Sequence, residues 1–407
     1  MRLRIAHVVR RFVFSEWGGT ENVVWNTALN QLEMGMAPEI LATCALDHPG
    51  REVRQGIPIR RFPYHYPYFP MPPADRLALD KKGGNPWSRQ LFAALRAGQY
   101  DLVHIHCGGR LAATCCRIAR QMGIPAIITL HGGAAAVPPA EMAEMLRPVR
   151  HKLNYGRAID LLHGIPRDPL AEATALICIS REEQSRLKRP YPGIAVHYLP
   201  NGIAPGRFRE ASSVDIRQAC QIPAGRRILL CISRIDYQKN QKLLLEVLRH
   251  DPGAHLLLIG PVTAQWYHDE ILADARRDGL LERLTLIPGV PPESPLINAA
   301  LHAATAFALP SRHEPFGIAA LEAWAGGTPL LAAAVGGLKD LVQDGVNGLL
   351  FSPDDPQMLL CAWRRLQDDP ALRRNITANA SAEVEKYTWP AIVSRLDEIY
   401  QDALARR

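Results

Sequence analysis

Residues 311–329 read SRHEPFGIAALEAWAGGTP. Just before them, 305–309 (TAFAL) is a short apolar run with the length and composition of a buried strand. Pro310 ends that run, and the Ala- and Leu-rich stretch from about Phe316 has helical composition. Strand, loop and helix follow one another, with Glu314 in the loop and Glu322 on the helix. A helix starting near Phe316 leaves the backbone N–H groups of Phe316, Gly317 and Ile318 without acceptors in their own helix. Such a terminus attracts anions and sugar hydroxyls. Glu322, about two turns inside, can accept from two adjacent hydroxyls, as on a ribose.

The same alternation runs along the whole chain. In the first half, apolar runs at 3–9 (LRIAHVV), 101–106, 126–130, 175–179 and 195–199 alternate with helical stretches near 20–34, 87–97, 110–122, 140–160 and 181–188. It restarts with strands at 227–233, 255–260, 284–287, 305–309 and 329–333, and helices near 239–249, 266–278, 293–302 and 317–325. Strand and helix in turn imply a parallel sheet covered on both faces. The fold class is therefore α/β, with two doubly wound, Rossmann-like halves. The expected domains are 1–200 and 227–388, joined by a Pro- and Gly-bearing linker at 201–226, with a last helix at 389–407 returning to the first domain. Ligands are expected at the carboxyl ends of the strands, in a deep cleft that the two halves face.

At 407 residues, with 47% hydrophobic and 21% charged, the chain has the composition of a globular enzyme. The eight cysteines form no C-x-x-C pair, so neither a zinc site nor a disulfide framework is expected, and a reducing cytoplasm is. No apolar run approaches the ~20 residues of a membrane span. Residues 1–203 carry 25 Lys and Arg against 16 Asp and Glu, net +9, whereas 204–407 carry 22 against 24. The first half thus suits an anionic partner. No nucleic-acid-binding signature accompanies the charge, so nucleic acid is not expected.

The 311–329 string resembles the signature of retaining glycosyltransferases of family 4, which have the GT-B fold: E-P-F-G, then L-E-A, with two glutamates eight apart. The resemblance implies that Glu314 lies by the donor sugar and that Glu322 binds the nucleotide ribose, with the amides of Phe316, Gly317 and Ile318 reaching the donor. A second segment, CISRIDYQKNQKLLLEVL (231–248), is similar to the one in which the family binds the donor diphosphate. It implies that role for Arg234 and Lys239, with Asn240 and Ser233 at positions where the family has glycine. Gly18 and Gly19, between the first strand and its helix, match a Gly-Gly loop that approaches the donor phosphates. His131 matches a histidine near the donor sugar, and His106, at the end of the neighbouring strand, is ranked second as an acceptor-side residue. Asn201-Gly202-Ile203 matches the link between the domains, with Ala204 in place of the family's Asp. GGLKDLVQDGVNGLLF (336–351) matches a late block, with Asp340 in place of Glu and Lys339 in place of Pro.

The implied activity is transfer of a sugar, with retention of anomeric configuration, from a nucleotide-diphosphate sugar to an acceptor hydroxyl. UDP comes first as the carrier and GDP second. The setting is bacterial polysaccharide, lipopolysaccharide or other glycoconjugate biosynthesis. The catalytic set is His131, Glu314, Arg234 and Lys239. No cofactor is expected, since the sugar nucleotide is a substrate. No D-x-D or His/Cys/Asp cluster has metal spacing, so no metal is expected. Alternative readings are a non-catalytic sugar-nucleotide-binding subunit of a transferase complex and a sugar-nucleotide epimerase on a similar fold. A dinucleotide-dependent oxidoreductase would need G-x-G-x-x-G, which SEWGGTEN does not supply.

The acceptor is open: glycan, lipid-linked or small molecule. RRFPYHYPYFPMPP (60–73) puts aromatics beside Arg60 and Arg61 in a loop that its prolines keep from being helical. RPVRHKLNYGR (147–157) is a basic stretch expected to be helical. Together they suit an anionic lipid headgroup on the inner face of the membrane, a soluble anionic sugar chain, or a rigid loop with its rings packed inward.

Overall fold

A computed structural model describes residues 2–16, 18–132, 145–291 and 293–406. The chain divides into two units, Met1–Asn201 with Trp389–Arg407, and Gly202–Thr388.

In the first unit the strands are β1 (Arg4–Arg11), β2 (Ala37–Thr43), β3 (Gly50–Arg54), β4 (Ile57–Phe62), β5 (Tyr68–Phe69), β6 (Leu102–Ile105), β7 (Ala126–Leu130), β8 (Leu153–Asn154), β9 (Ala175–Cys178) and β10 (Ala195–Tyr198). Eight of them form one sheet in the order β10-β9-β7-β6-β1-β2-β4-β3, parallel except for the β3–β4 hairpin. β5 and β8 pair separately. β1 is central and buried from Ile5 to Val9, as a parallel strand covered on both faces must be. Its alternate side chains serve different cores. Ala6 and Val8 join Val103, Ile105 and Ile128 on one face. Ile5 joins Leu102 and Ile127 on the other, where the helix Trp389–Ala405 covers them with Ile392, Leu396 and Tyr400.

In the second unit β11 (Arg227–Ile232), β12 (Ala254–Ile259), β13 (Leu284–Ile287), β14 (Ala306–Leu309), β15 (Leu330–Ala333) and β16 (Leu349–Phe351) are all parallel, in the order β13-β12-β11-β14-β15-β16. One core of Leu, Ile and Val, with Trp363, Phe351 and Tyr267, fills a face of this sheet. Strand order reverses between β1 and β6 in the first sheet and between β11 and β14 in the second. These reversals are where open α/β sheets leave a crevice at the carboxyl ends.

Several expectations need correction. The stretch 201–226 is no linker. It carries the short helices Pro205–Arg209 and Ile216–Ala219, buries Phe208, Ile216 and Ile222, and from Gly202 onward belongs to the second unit. Three apolar side chains placed among the prolines anchor it. In its described part, the helix expected at 140–160 is helical at 145–146 and then gives way to a 3-10 turn Arg147–Val149, strand β8 and a helix Gly156–Leu162. Residues 133–144 lie outside the described residues. The aromatic loop packs largely inward: Tyr64 and Tyr66 are buried and both hydroxyls donate to Asp80 Oδ1, at 2.5 and 2.9 Å. Phe69 stays exposed, as do Leu153, Leu161 and Leu162. Among the described residues, no helix is long and apolar enough to cross a membrane.

Candidate active site

At the switch point of the second sheet, β11 delivers Arg234 and β14 delivers the loop that holds Glu314. Lys239 does not open a helix. It ends a 3-10 turn, Tyr237–Lys239, whose N-cap Asp236 accepts from the Lys239 backbone N–H at 3.0 Å. The other Asp236 oxygen lies 3.3 Å from the Arg234 guanidinium. One carboxylate therefore shapes the turn and aims the arginine. Asn240 follows at φ +56, the left-handed region that asparagine tolerates best after glycine. Its amide donates to the carbonyls of Pro310 and Pro353, which fixes the turn against the β14 loop. Lys239 Nζ then reaches Glu314 Oε2 at 2.7 Å, both groups being mostly buried.

The loop after β14 is held by close backbone contact. The Gly337 N–H donates to the Glu314 carbonyl at 2.9 Å. A Cβ on Gly336 would sit 2.2 Å from that same oxygen, so the two loops meet at a distance only glycine allows. The helix runs Ile318–Ala325, starting two residues later than the sequence suggests, because Gly317 adopts φ +99 as its N-cap. No side chain caps it. Among the described residues the N–H groups of Phe316, Gly317 and Ile318 have no hydrogen-bond acceptor, as expected at an uncapped helix start. Glu322 is one turn inside rather than two. It is half-buried, and burial raises its carboxyl above the ordinary glutamate range while the Arg207 guanidinium pulls it back.

In the first unit, Gly18 is the N-cap of the helix Gly19–Glu33 and again no side chain caps it. A Cβ on Gly18 would approach Glu21 Oε2 to 2.7 Å, and Glu21 is buried in an ion pair with Arg11 at 3.1 Å. Gly19 is different: a side chain there would meet nothing within 4 Å. His131 follows β7, and its Nε2 lies 3.2 Å from His106 Nδ1. His106 follows β6 and is buried, with its other nitrogen 3.0 Å from His7 Nδ1. It therefore stands behind His131, and the structure does not present it to an acceptor.

Two further histidines escape a reading of the sequence. His7 lies inside β1 and pairs in register with His104 of β6. The H-I-H spacing puts His104 and His106 on one strand face, the only local sign of the cluster. The donor atoms of His7, His104 and His106 lie within 4.8 Å of one another, close enough to invite a metal. Every one of their ring nitrogens is already hydrogen-bonded, however. His7 Nε2 meets Gln31 Oε1 at 2.7 Å, and His104 meets the Tyr400 hydroxyl and Thr129 Oγ1, both at 2.6 Å. The arrangement is a hydrogen-bonded chain, not an open ligand set. A hollow lined by Arg4, Glu39, Arg60 and Tyr100 sits at the amino ends of β1, β2 and β4, the wrong end for chemistry of this fold.

Two family descriptions match the chain: glycosyltransferase family 4 over residues 17–207, and glycosyl transferases group 1 over 213–383. A D-inositol 3-phosphate glycosyltransferase of Saccharomonospora viridis is 29% identical over 95% of this chain and 90% of its own length. One of Thermobispora bispora is 29% identical over 77% of this chain and 73% of its own. Sucrose-phosphate synthase from Thermosynechococcus elongatus superposes with a TM-score of 0.72 at 22% identity, covering all of both chains. The Anabaena protein HepE, solved with UDP and glucose, gives 0.71 at 21% identity over 98% of this chain and 100% of its own. Both matches are to folds of the GT-B kind, and the two family matches meet near the boundary between the units. These findings lead to one conclusion: the chain belongs to the group 1 glycosyltransferases and is a nucleotide-sugar glycosyltransferase.

Proposed function

We propose that the chain transfers a sugar, with retention of configuration and without a metal, from a UDP-sugar, or next a GDP-sugar, to a hydroxyl of an anionic acceptor in glycoconjugate biosynthesis. The observation that carries this reading is the Lys239–Glu314 pair beside an uncapped helix N-terminus at the switch point of the second sheet. The departing diphosphate carries the charge that grows in the transition state, and preorganised donors there are the largest lever a protein has. Arg234 and Lys239 take that role, with the amides of Phe316, Gly317 and Ile318. Arg supplies a fork and Lys a point charge. Glu322 takes the ribose hydroxyls. Glu314 orients Lys239 and faces the donor sugar. In the first unit, His131 and the Gly18–Gly19 loop serve the transferred sugar and its phosphates. Gly19 has room in front of it for such an approach.

UDP is favoured by the HepE complex and by the UDP-forming trehalose-phosphate synthase of Burkholderia vietnamiensis, a further structural match at TM-score 0.69. An anionic acceptor is favoured by the +9 charge of the first half and by relatives named for D-inositol 3-phosphate. The reaction is to be followed by proton NMR with UDP-sugars and phosphorylated polyols, in EDTA. Product with the donor's anomeric configuration, formed at an undiminished rate, is expected. Inverted product, or an absolute need for added Mg²⁺, overturns the mechanism. A peripheral contact with the inner face of the membrane is favoured by exposed Leu153, Leu161 and Leu162, close in sequence to Arg150 and Arg157, and by exposed Phe69, which pairs with Leu153. Failure to sediment with anionic vesicles at low salt removes it.

A further inference from the structure

The imidazoles on the covered face of β1, β6 and β7 form one connected chain, and its members can be given protons one by one. Gln31 Oε1 is an acceptor only, so His7 must donate to it from Nε2. A neutral His7 then has a lone pair on Nδ1, so His106 must donate to it from Nε2. His106 in turn has its lone pair on Nδ1, so His131 must donate from Nε2. The other side of Gln31 closes the sequence. Its Nε2 donates to the Tyr400 hydroxyl at 3.0 Å, and that hydroxyl and Thr129 Oγ1 each lie 2.6 Å from a ring nitrogen of His104, either of whose tautomers these hydroxyls can serve.

We propose that Gln31, His7 and His106 are positioning residues that fix His131 as its Nε2–H tautomer and leave its Nδ1 as a hydrogen-bond acceptor. Among the described residues, nothing partners that Nδ1. That the acceptor faces a sugar hydroxyl rests on the function proposed above; the tautomer itself does not.

The chain is cooperative. Reversing His7, His106 or His131 alone sets two N–H groups or two lone pairs against each other, so these three reverse together or not at all. A proton added to His7 or His106 has the same effect, whereas His131 could take one only on its open Nδ1. Burial opposes such a proton too: it pushes His7 and His131 down to about 4, and His106 and His104 well below the ordinary histidine value. No carboxylate touches these rings in the described residues, so nothing compensates a charge there. The anchor is the amide of Gln31, on the helix Gly19–Glu33, held from the far side by Tyr400 on the last helix. The last helix of the chain thereby sets the proton on a residue that follows β7.

The test is long-range ¹H–¹⁵N correlation on the full chain labelled with ¹⁵N-histidine at neutral pH, with the His131 signals assigned by their loss in His131→Asn. Nε2–H with a bare Nδ1 is expected for His131, His106 and His7. His131 carrying its proton on Nδ1, exchanging between tautomers or charged overturns the proposal, whatever the turnover. In Gln31→Met the single tautomer of His131 is expected to be lost. Its kcat should fall about tenfold or more, as when an outer partner of a functional imidazole is removed, with the donor KM nearly unchanged. A Gln31→Met protein with the wild-type tautomer and turnover also overturns it. Nε2–H in the wild type together with full turnover of His131→Ala has a different meaning. It sinks the assignment of His131 to the sugar and leaves the tautomer chain standing.

Discussion

Asn240 stands at φ +56 where the family resemblance expects glycine, and the structure supplies the reason the exchange works. Asparagine tolerates the left-handed region, and its amide adds two bonds to backbone carbonyls that glycine could not make. The turn it closes puts Lys239 on Glu314. Arg234 is more open, about half-exposed, and is aimed by Asp236. Its guanidinium and the Glu322 carboxylate have no role in packing the second core, so their removal tests chemistry rather than folding. Arg234→Ala and Glu322→Ala are each expected to cut transfer by about 100-fold or more, the scale of one lost preorganised charged contact. Steady-state kinetics with circular dichroism as a folding control checks this, and wild-type turnover in both refutes the assignment. The residues proposed for the donor could be picked out because the two glutamates, and the Arg and Lys, lie close along the chain. His7 and His104 were not. Their contact crosses from β1 to β6, nearly a hundred residues apart, and no single strand announces its neighbour.

Strands with unbroken apolar runs, such as LLLI in β12 and AFAL in β14, could be read directly. β2, β3 and β4 could not. APEILAT opens with Pro38 and Glu39, and the β3–β4 hairpin is half polar because it forms the sheet edge. The basic stretch after 147 misled for the opposite reason: a helical composition is overridden where β8 pairs with β5. One element-level consequence is measurable. On the face under the helix Trp389–Ala405, four imidazoles are held neutral, and His7 and His131 titrate near 4 when folded. Unfolded, they bind protons from about 6.5 downward. The unfolded state therefore holds more protons across that window. Stability from these groups is complete above about pH 6.5 and is lost as pH falls toward about 4. Each contributes a slope of about 1.4 kcal/mol per pH unit while it is charged only in the unfolded chain. In the second unit, only His255 is similarly lowered among the described residues. Hydrogen exchange across this range should show β1, β6 and β7 losing protection before β11 and β14. Equal loss in both units contradicts the account.

At the scale of the whole molecule, the repeat of the strand–helix rhythm made two α/β units legible, and so did the return of the last helix to the first unit. The boundary was less so. Pro200, Gly202, Pro205 and Gly206 look like a linker, yet Phe208 and Ile216 fold that segment into the second unit. The division of charge also follows the units, with the basic excess lying in the first and the residues proposed for the donor in the second. The central claim is that the second unit holds a nucleoside diphosphate at the switch point of its sheet. Thermal unfolding with UDP, GDP, ADP and TDP, on the wild type and on Lys239→Met, tests it most directly. A ligand that binds only the folded state stabilises it by about 2.7 kcal/mol at a hundredfold excess over Kd. The account predicts a melting temperature that climbs with the logarithm of UDP concentration in the wild type and a much smaller rise in Lys239→Met. No shift with any of the four, or the same shift in both proteins, would contradict it.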